Sequence, residues 1–123
     1  MKYETRDMIC NIENLDVYKF AHKLAVEVYK ITATYPKEET YGLVSQMRRA
    51  AVSVCSNLSE GGSRISHPEM KQFIGIARGS VAELRFQVIL SHDVGFINEQ
   101  IKQNLVEQIS IIHKMLTGLI SKI

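Results

Sequence analysis

The chain is poor in the residues that staple, anchor or interrupt a fold. Only two of its 123 residues are cysteine, Cys10 and Cys55. Standing 45 positions apart, they make neither a disulfide framework nor a zinc-ligand set, so a reducing, cytoplasmic compartment is the simpler expectation. No apolar run approaches the ~18 residues of a membrane span. The opening Met1-Lys2-Tyr3-Glu4-Thr5-Arg6-Asp7 is charged where a signal peptide is apolar. Secretion and a membrane partner are therefore not expected. Charge of one sign is scarce too: 15 Lys and Arg against 13 Asp and Glu leave +2, too little for the whole molecule to act as a polycation. Nucleic-acid binding would have to come from local placement, and five of the six arginines (Arg48, Arg49, Arg64, Arg78, Arg85) fall in one central stretch. Strand signals are absent, except that residues 1–14 read as an extended N-terminal arm.

What is present is helical periodicity. A chain that is 46% hydrophobic and 23% charged fits one domain, placed here at residues 15–123. At this size folding buries roughly two thirds of the unfolded surface, enough to hold a core without staples. The two prolines, Pro36 and Pro68, stand at the edges of periodic segments. Val17, Phe20, Ala21, Leu24, Val28, Ile31 and Tyr35 recur at steps of three and four, which predicts a first helix from about Asp16, as N-cap, to just before Tyr35-Pro36. Leu43, Met47, Ala50, Val54 and Leu58 predict a second, ending where Gly61-Gly62 can adopt a left-handed C-cap. Ser66-His67-Pro68-Glu69 reads as a capping box for a third, with Met70, Phe73, Ile74, Ala77, Val81, Leu84 and Val88 on its inner face and an end near Gly95. Asn98 caps a fourth carrying Ile101, Leu105, Ile109, Ile112, Leu116, Leu119 and Ile123. Four amphipathic helices on short connections predict an all-α, antiparallel up-down four-helix bundle.

The outward faces carry more apolar and small residues than a monomer needs. Tyr18, Ala25 and Tyr29 widen the apolar arc of the first helix, and Val106 and Ile120 that of the fourth. Gly75, Gly79, Ala82 and Phe86 follow at i, i+4, i+7 and i+11 on the back of the third helix. Interior glycines cost roughly 1 kcal/mol each against alanine, and close approach of another helix would offset that. The outward arc of the second helix, Ser45, Gln46, Arg49, Ser53, Ser56, Asn57 and Glu60, is short and polar, which suits a tight polar contact better than bare solvent. Arg49, Ser53, Asn57, Gly75, Gly79 and Phe86 are the resulting candidates for an interface between copies of the chain.

The stretch Gln46-Met47-Arg48-Arg49-Ala50-Ala51-Val52-Ser53-Val54-Cys55-Ser56-Asn57-Leu58-Ser59-Glu60-Gly61, with Arg64 following, resembles the signature of the 23S ribosomal RNA intervening-sequence protein family, also called the four-helix bundle protein family. Tyr35-Pro36, Glu39 and Tyr41-Gly42-Leu43 upstream, and Ile76-Ala77, Gly79-Ser80 and Glu83-Leu84 downstream, extend the resemblance over about residues 15 to 97. Ser59 stands where members usually carry alanine, and Val54-Cys55 replaces a more usual isoleucine pair. The resemblance implies a bacterial, ring-like homopentamer of four-helix subunits. Some members are encoded inside insertions in large-subunit rRNA genes. The family is also similar to the nucleic-acid-binding accessory subunit of diversity-generating reverse transcriptases.

Catalytic chemistry is hard to place. Di-iron bundles need Glu-x-x-His pairs, whereas the residues three before His22, His67, His92 and His113 are Lys19, Arg64, Ile89 and Ser110. No phosphate-binding loop, nucleophile elbow or dinucleotide fingerprint is present. The expectation is a non-enzyme with no catalytic residue, metal or cofactor. Lys71, Arg78 and Arg85, at i, i+7 and i+14, align three cations on one edge of the third helix, either paired with Glu83 and its neighbours or open to RNA or DNA phosphates. Gly61-Gly62-Ser63-Arg64 ahead of a helix start reads as a glycine-capped turn or as an anion nest that adds Arg64 to the nucleic-acid candidates. A bundle that recruits a protein partner, without nucleic acid, is the competing expectation.

Overall fold

The computed structural model describes residues 15–123, and the arm expected over 1–14, with Cys10, lies outside them. Four helices follow in chain order: α1 (Asp16–Thr32), α2 (Leu43–Gly62), α3 (His67–Asp93) and α4 (Glu99–Lys122), with one 3₁₀ turn, Lys37–Glu39, before α2. No strand occurs among the described residues.

Each helix packs on its chain neighbours, and α4 closes back on α1. The cross-links between neighbours run in opposite senses along the chain. Arg48 reaches Thr32 while Tyr18 and Ser63 line one cleft at the other end. Ser53 meets Ser80, whereas Met47 meets Ser91. Arg78 meets Thr117 and His92 meets Glu99. Every seam is therefore antiparallel, the up-down circuit that short connections favour. The inner stripes meet in one core, in which Leu24, Met47, Leu58, Met70, Ile74, Leu84, Leu105, Ile109, Ile112 and Leu116 are almost wholly buried. Full burial of such a side chain contributes about 1.5–3 kcal/mol.

Three local expectations are corrected. Asp16 is the first helical residue of α1 and Leu15 the N-cap, so the Asp16 carboxylate acts on the helix dipole rather than as a side-chain cap. Phe20 is 45% exposed, because the inner stripe of α1 runs through Val17, Ala21, Leu24 and Val28 and leaves Phe20 on the flank toward α4. Gly61 and Gly62 are helical and buried, and the left-handed glycine among the described residues is Gly95, with φ +90°. Gly95 ends α3 in a Schellman turn, with Phe96 N–H donating to Ser91 C=O at 2.8 Å and Gly95 N–H to His92 C=O at 3.0 Å.

Gly61 serves the seam instead. A Cβ there would lie 3.3 Å from both Ile74 Cγ1 and Phe73 Cβ and 3.5 Å from the Met70 carbonyl oxygen. The missing side chain is what lets α2 and α3 cross closely at this end. Ser66 caps α3 as expected, accepting from Glu69 N–H at 3.3 Å, but the Glu69 carboxylate turns to Arg64 instead of completing the box. Asn98 caps α4 through Ile101 N–H at 2.8 Å. The start of α2 is held by Glu39, whose carboxylate accepts from Leu43 N–H at 3.2 Å.

Gly61→Leu should overpack the α2–α3 crossing and lower unfolding free energy by about 1–3 kcal/mol in urea titration. An unchanged midpoint would show that the crossing has slack.

Candidate functional site

The motif stretch of α2 does two jobs, one inside the chain and one facing out. Arg48 turns back onto α1: its Nε donates to Thr32 Oγ1 at 3.0 Å and its Nη2 to the Tyr29 carbonyl at 3.2 Å. The guanidinium also sits 4.6 Å from the Tyr29 ring centroid. Thr32 Oγ1 in turn donates to Val28 C=O at 2.7 Å, so one arginine ties down carbonyls at the end of α1. Arg64 is likewise engaged, with Glu60 at 3.0 Å, Glu69 at 3.9 Å and the Phe73 ring at 4.7 Å. With Gly61 and Gly62 helical, no anion nest forms there, and Arg64 closes the α2–α3 turn rather than joining the other cationic candidates.

Ser53 and Asn57 are also partly spent within the subunit. The Ser53 and Ser80 hydroxyls share a 2.8 Å hydrogen bond across α2 and α3, and Asn57 Nδ2 donates to Ser53 C=O and Oγ at 2.8 and 3.0 Å. Arg49 is exposed and overlooks these groups. Arg49, Gln46, Ser53, Asn57, Ser80 and Glu83 line one open cleft of about 630 Å³ between α2 and α3, so two separate pieces of the sequence motif converge there. On the other flank of α2, Tyr18, His22, Ala25, Val52, Cys55 and Ser59 line a cleft of about 660 Å³ against α1. Short side chains on α2 leave both clefts open.

Lys71, Arg78 and Arg85 lie on the edge of α3 that faces α4. Arg78 Nη1 donates to Thr117 Oγ1 at 3.4 Å, while Lys71 and Arg85 are exposed. Glu83 stands on the opposite edge, where it accepts from Gln87 Nε2 at 3.1 Å. No ion pair among the described residues involves any of the three cations. Gly75 and Gly79 have open space where a Cβ would point, and Phe86 beside them is 63% exposed.

A cationic face on α1 was not singled out from the sequence. Lys19, Lys23 and Lys30 are exposed on the side opposite Val17, Ala21, Leu24 and Val28. Their i, i+4, i+11 spacing is readable in the sequence.

Among the described residues no three His, Cys, Asp or Glu side chains are grouped to hold a metal. Burial pushes the Cys55 thiol up to about 11, which keeps it protonated at neutral pH. No helix is long and apolar enough to cross a membrane among the described residues.

By architecture this is an antiparallel four-helix bundle with its polar motif on the outer surface of one helix. The chain belongs to the 23S rRNA-intervening sequence protein family, whose pattern matches residues 13–118. Its fold is similar to that of a protein of unknown function from the S23 ribosomal protein family of Bacteroides thetaiotaomicron, with a TM-score of 0.81 and 18% identity over 93% of this chain and 99% of that one. No curated protein matches the sequence.

Two outcomes follow. Arg48→Ala should cost about 1–3 kcal/mol in thermal or urea unfolding by releasing the end of α1, whereas Arg49→Ala should change the stability of the subunit by no more than about 0.5 kcal/mol. For Cys55 the folded thiol holds its proton above the 9.0 of an unperturbed cysteine, so its contribution to stability falls as pH rises from 9.0 to about 11. In a Cys10→Ser background, alkylation at pH 8 should run roughly ten- to a hundredfold slower in the folded than in the unfolded chain.

Proposed function

We propose that the chain is a non-enzymatic, cytoplasmic bundle protein that assembles as a homopentamer and associates with RNA or DNA through the cation row of α3. The observation that carries this reading is the state of Lys71, Arg78 and Arg85: aligned on one edge, and without a carboxylate in ion-pair range among the described residues. A net charge of +2 gives each subunit little attraction for polyanions as a whole, but a ring of five copies repeats the row five times. Self-association is supported by the open glycine face of α3 with Phe86, and by Arg49 above the polar cleft with Ser53 and Asn57. A second reading, recruitment of a protein partner, draws on the same exposed Phe86 and on the cleft between α1 and α2.

Light scattering should give a mass near five subunits. A Cβ at Gly79 meets nothing within 4 Å in the subunit, so Gly79→Leu should leave the monomer folded and dissociate the assembly. Arg49→Ala should weaken assembly as well. RNA affinity should fall log-linearly with salt, and replacing Lys71, Arg78 and Arg85 with alanine should flatten that slope by roughly 2 while leaving the mass unchanged. A triple variant that binds RNA like the parent would promote protein recruitment to the first reading.

A further inference from the structure

The cations of α1 form a surface separate from that of α3. Lys19, Lys23 and Lys30 are exposed along the outer face of one helix, over a length of ~16 Å at 1.5 Å per residue. None of them forms an ion pair among the described residues. The nearby carboxylate of Glu27 is directed to α4, where it accepts from Gln108 Nε2 at 2.6 Å. Two half-exposed rings flank the row, Phe20 on the α4 side and Tyr29 on the α2 side, the latter beneath Arg48.

One part of this arrangement is unfavourable for α1 taken alone. A solvated helix gains from Glu and Lys spaced at i, i+4, whereas Lys19 and Lys23 put like charges at that spacing. Lys19 also stands close to the N-terminus, where the helix dipole disfavours a cation, with Asp16 one turn before it, while Lys30 lies in the last turn, where a cation is favoured. A polyanion laid along the face would relieve the repulsion between Lys19 and Lys23.

We propose that the outer face of α1 is a second RNA-contact surface, in which Lys19, Lys23 and Lys30 neutralise backbone phosphates and Phe20, beside Lys23, packs against an unstacked base. A ring beside the cations fits a single strand, whose phosphates and base faces are both accessible. An acidic bilayer fits less well: α1 spends its apolar stripe, Val17, Ala21, Leu24 and Val28, on the core and keeps no such stripe to insert. α1 and α3 are diagonal in the circuit, which keeps the two cation rows on separate surfaces. The proposal rests on the RNA-association reading and adds to it a second surface with its own ligand form.

The test is lysine-acetylation footprinting of the full chain by mass spectrometry, with and without a mixed-sequence single-stranded 20-nucleotide RNA in low salt. Lys19, Lys23 and Lys30 should be protected. The variant with all three changed to glutamine should keep the parental mass and helicity, bind the RNA at least about tenfold more weakly, and show a salt slope smaller by about 2. Phe20→Ala should weaken single-strand binding more than binding to a duplex of the same sequence. Unprotected lysines and a parental slope in the glutamine variant, with loss on mutating Lys71, Arg78 and Arg85, would overturn this proposal and leave RNA association standing. Failure of the parent to bind RNA at all would overturn the association reading itself. Protection of the three lysines by vesicles of anionic phospholipid but not by RNA would overturn the proposal in favour of a membrane surface.

Discussion

The close crossing of α2 and α3 is the constraint on which the rest of the molecule depends. Gly61 has no side chain where Ile74, Phe73 and the Met70 carbonyl come closest, and Ser53 and Ser80 bridge the same seam through a single hydroxyl–hydroxyl bond. Two helices brought this near must carry small groups where they meet. On α2 the small residues continue around the helix, through Ser56 and Ser59, so the outer surface is cut into two clefts on either side of that helix. The clefts are a consequence of the packing as much as a separate feature. A seam built on leucine would have held the helices further apart and filled both spaces.

The fold also sorts the cations by use. Arg48 and Arg64 are drawn inward, one onto carbonyls at the end of α1 and the other into two carboxylates and a ring at the α2–α3 turn. Among the cations that stay outside, Lys19, Lys23 and Lys30 form a row on α1 and Lys71, Arg78 and Arg85 a row on α3. A formal charge of +2 conceals this, because net charge is a sum and binding depends on position. Of the carboxylates that balance the sum, Glu99 lies beside His92 and Lys102, Glu27 is turned to Gln108, and Glu83 sits on the far edge of α3 from Arg78.

Helix existence, order and most of the core were legible in the sequence. Met47, Leu58, Ile74, Leu84, Ile109 and Leu116 lie inside because a 3.6-residue period leaves one stripe per helix that can face the others. Phe20 misled because it occupies the boundary of that stripe, where a one-step rotation decides between core and flank. Gly61-Gly62 misled for a different reason. A glycine pair at the end of an apolar period has the same signature whether it turns the chain or admits a neighbouring helix, and only the position of α3 separates the two. The surface was less legible still: the motif stretch located Arg48, Arg49, Ser53 and Asn57 together, but not that Arg48 would fold back while Arg49 stayed out.

The sequence alone determined four helices, the capping of α3 by Ser66 and of α4 by Asn98, and family membership, since each depends on residues close together in the chain. Tertiary structure alone decided which polar groups were left for partners. Ser53 meets Ser80, Arg78 meets Thr117 and Glu27 meets Gln108 across 27, 39 and 81 positions. Such pairings depend on the rotation and separation of whole helices, which the packed core sets and no local pattern encodes.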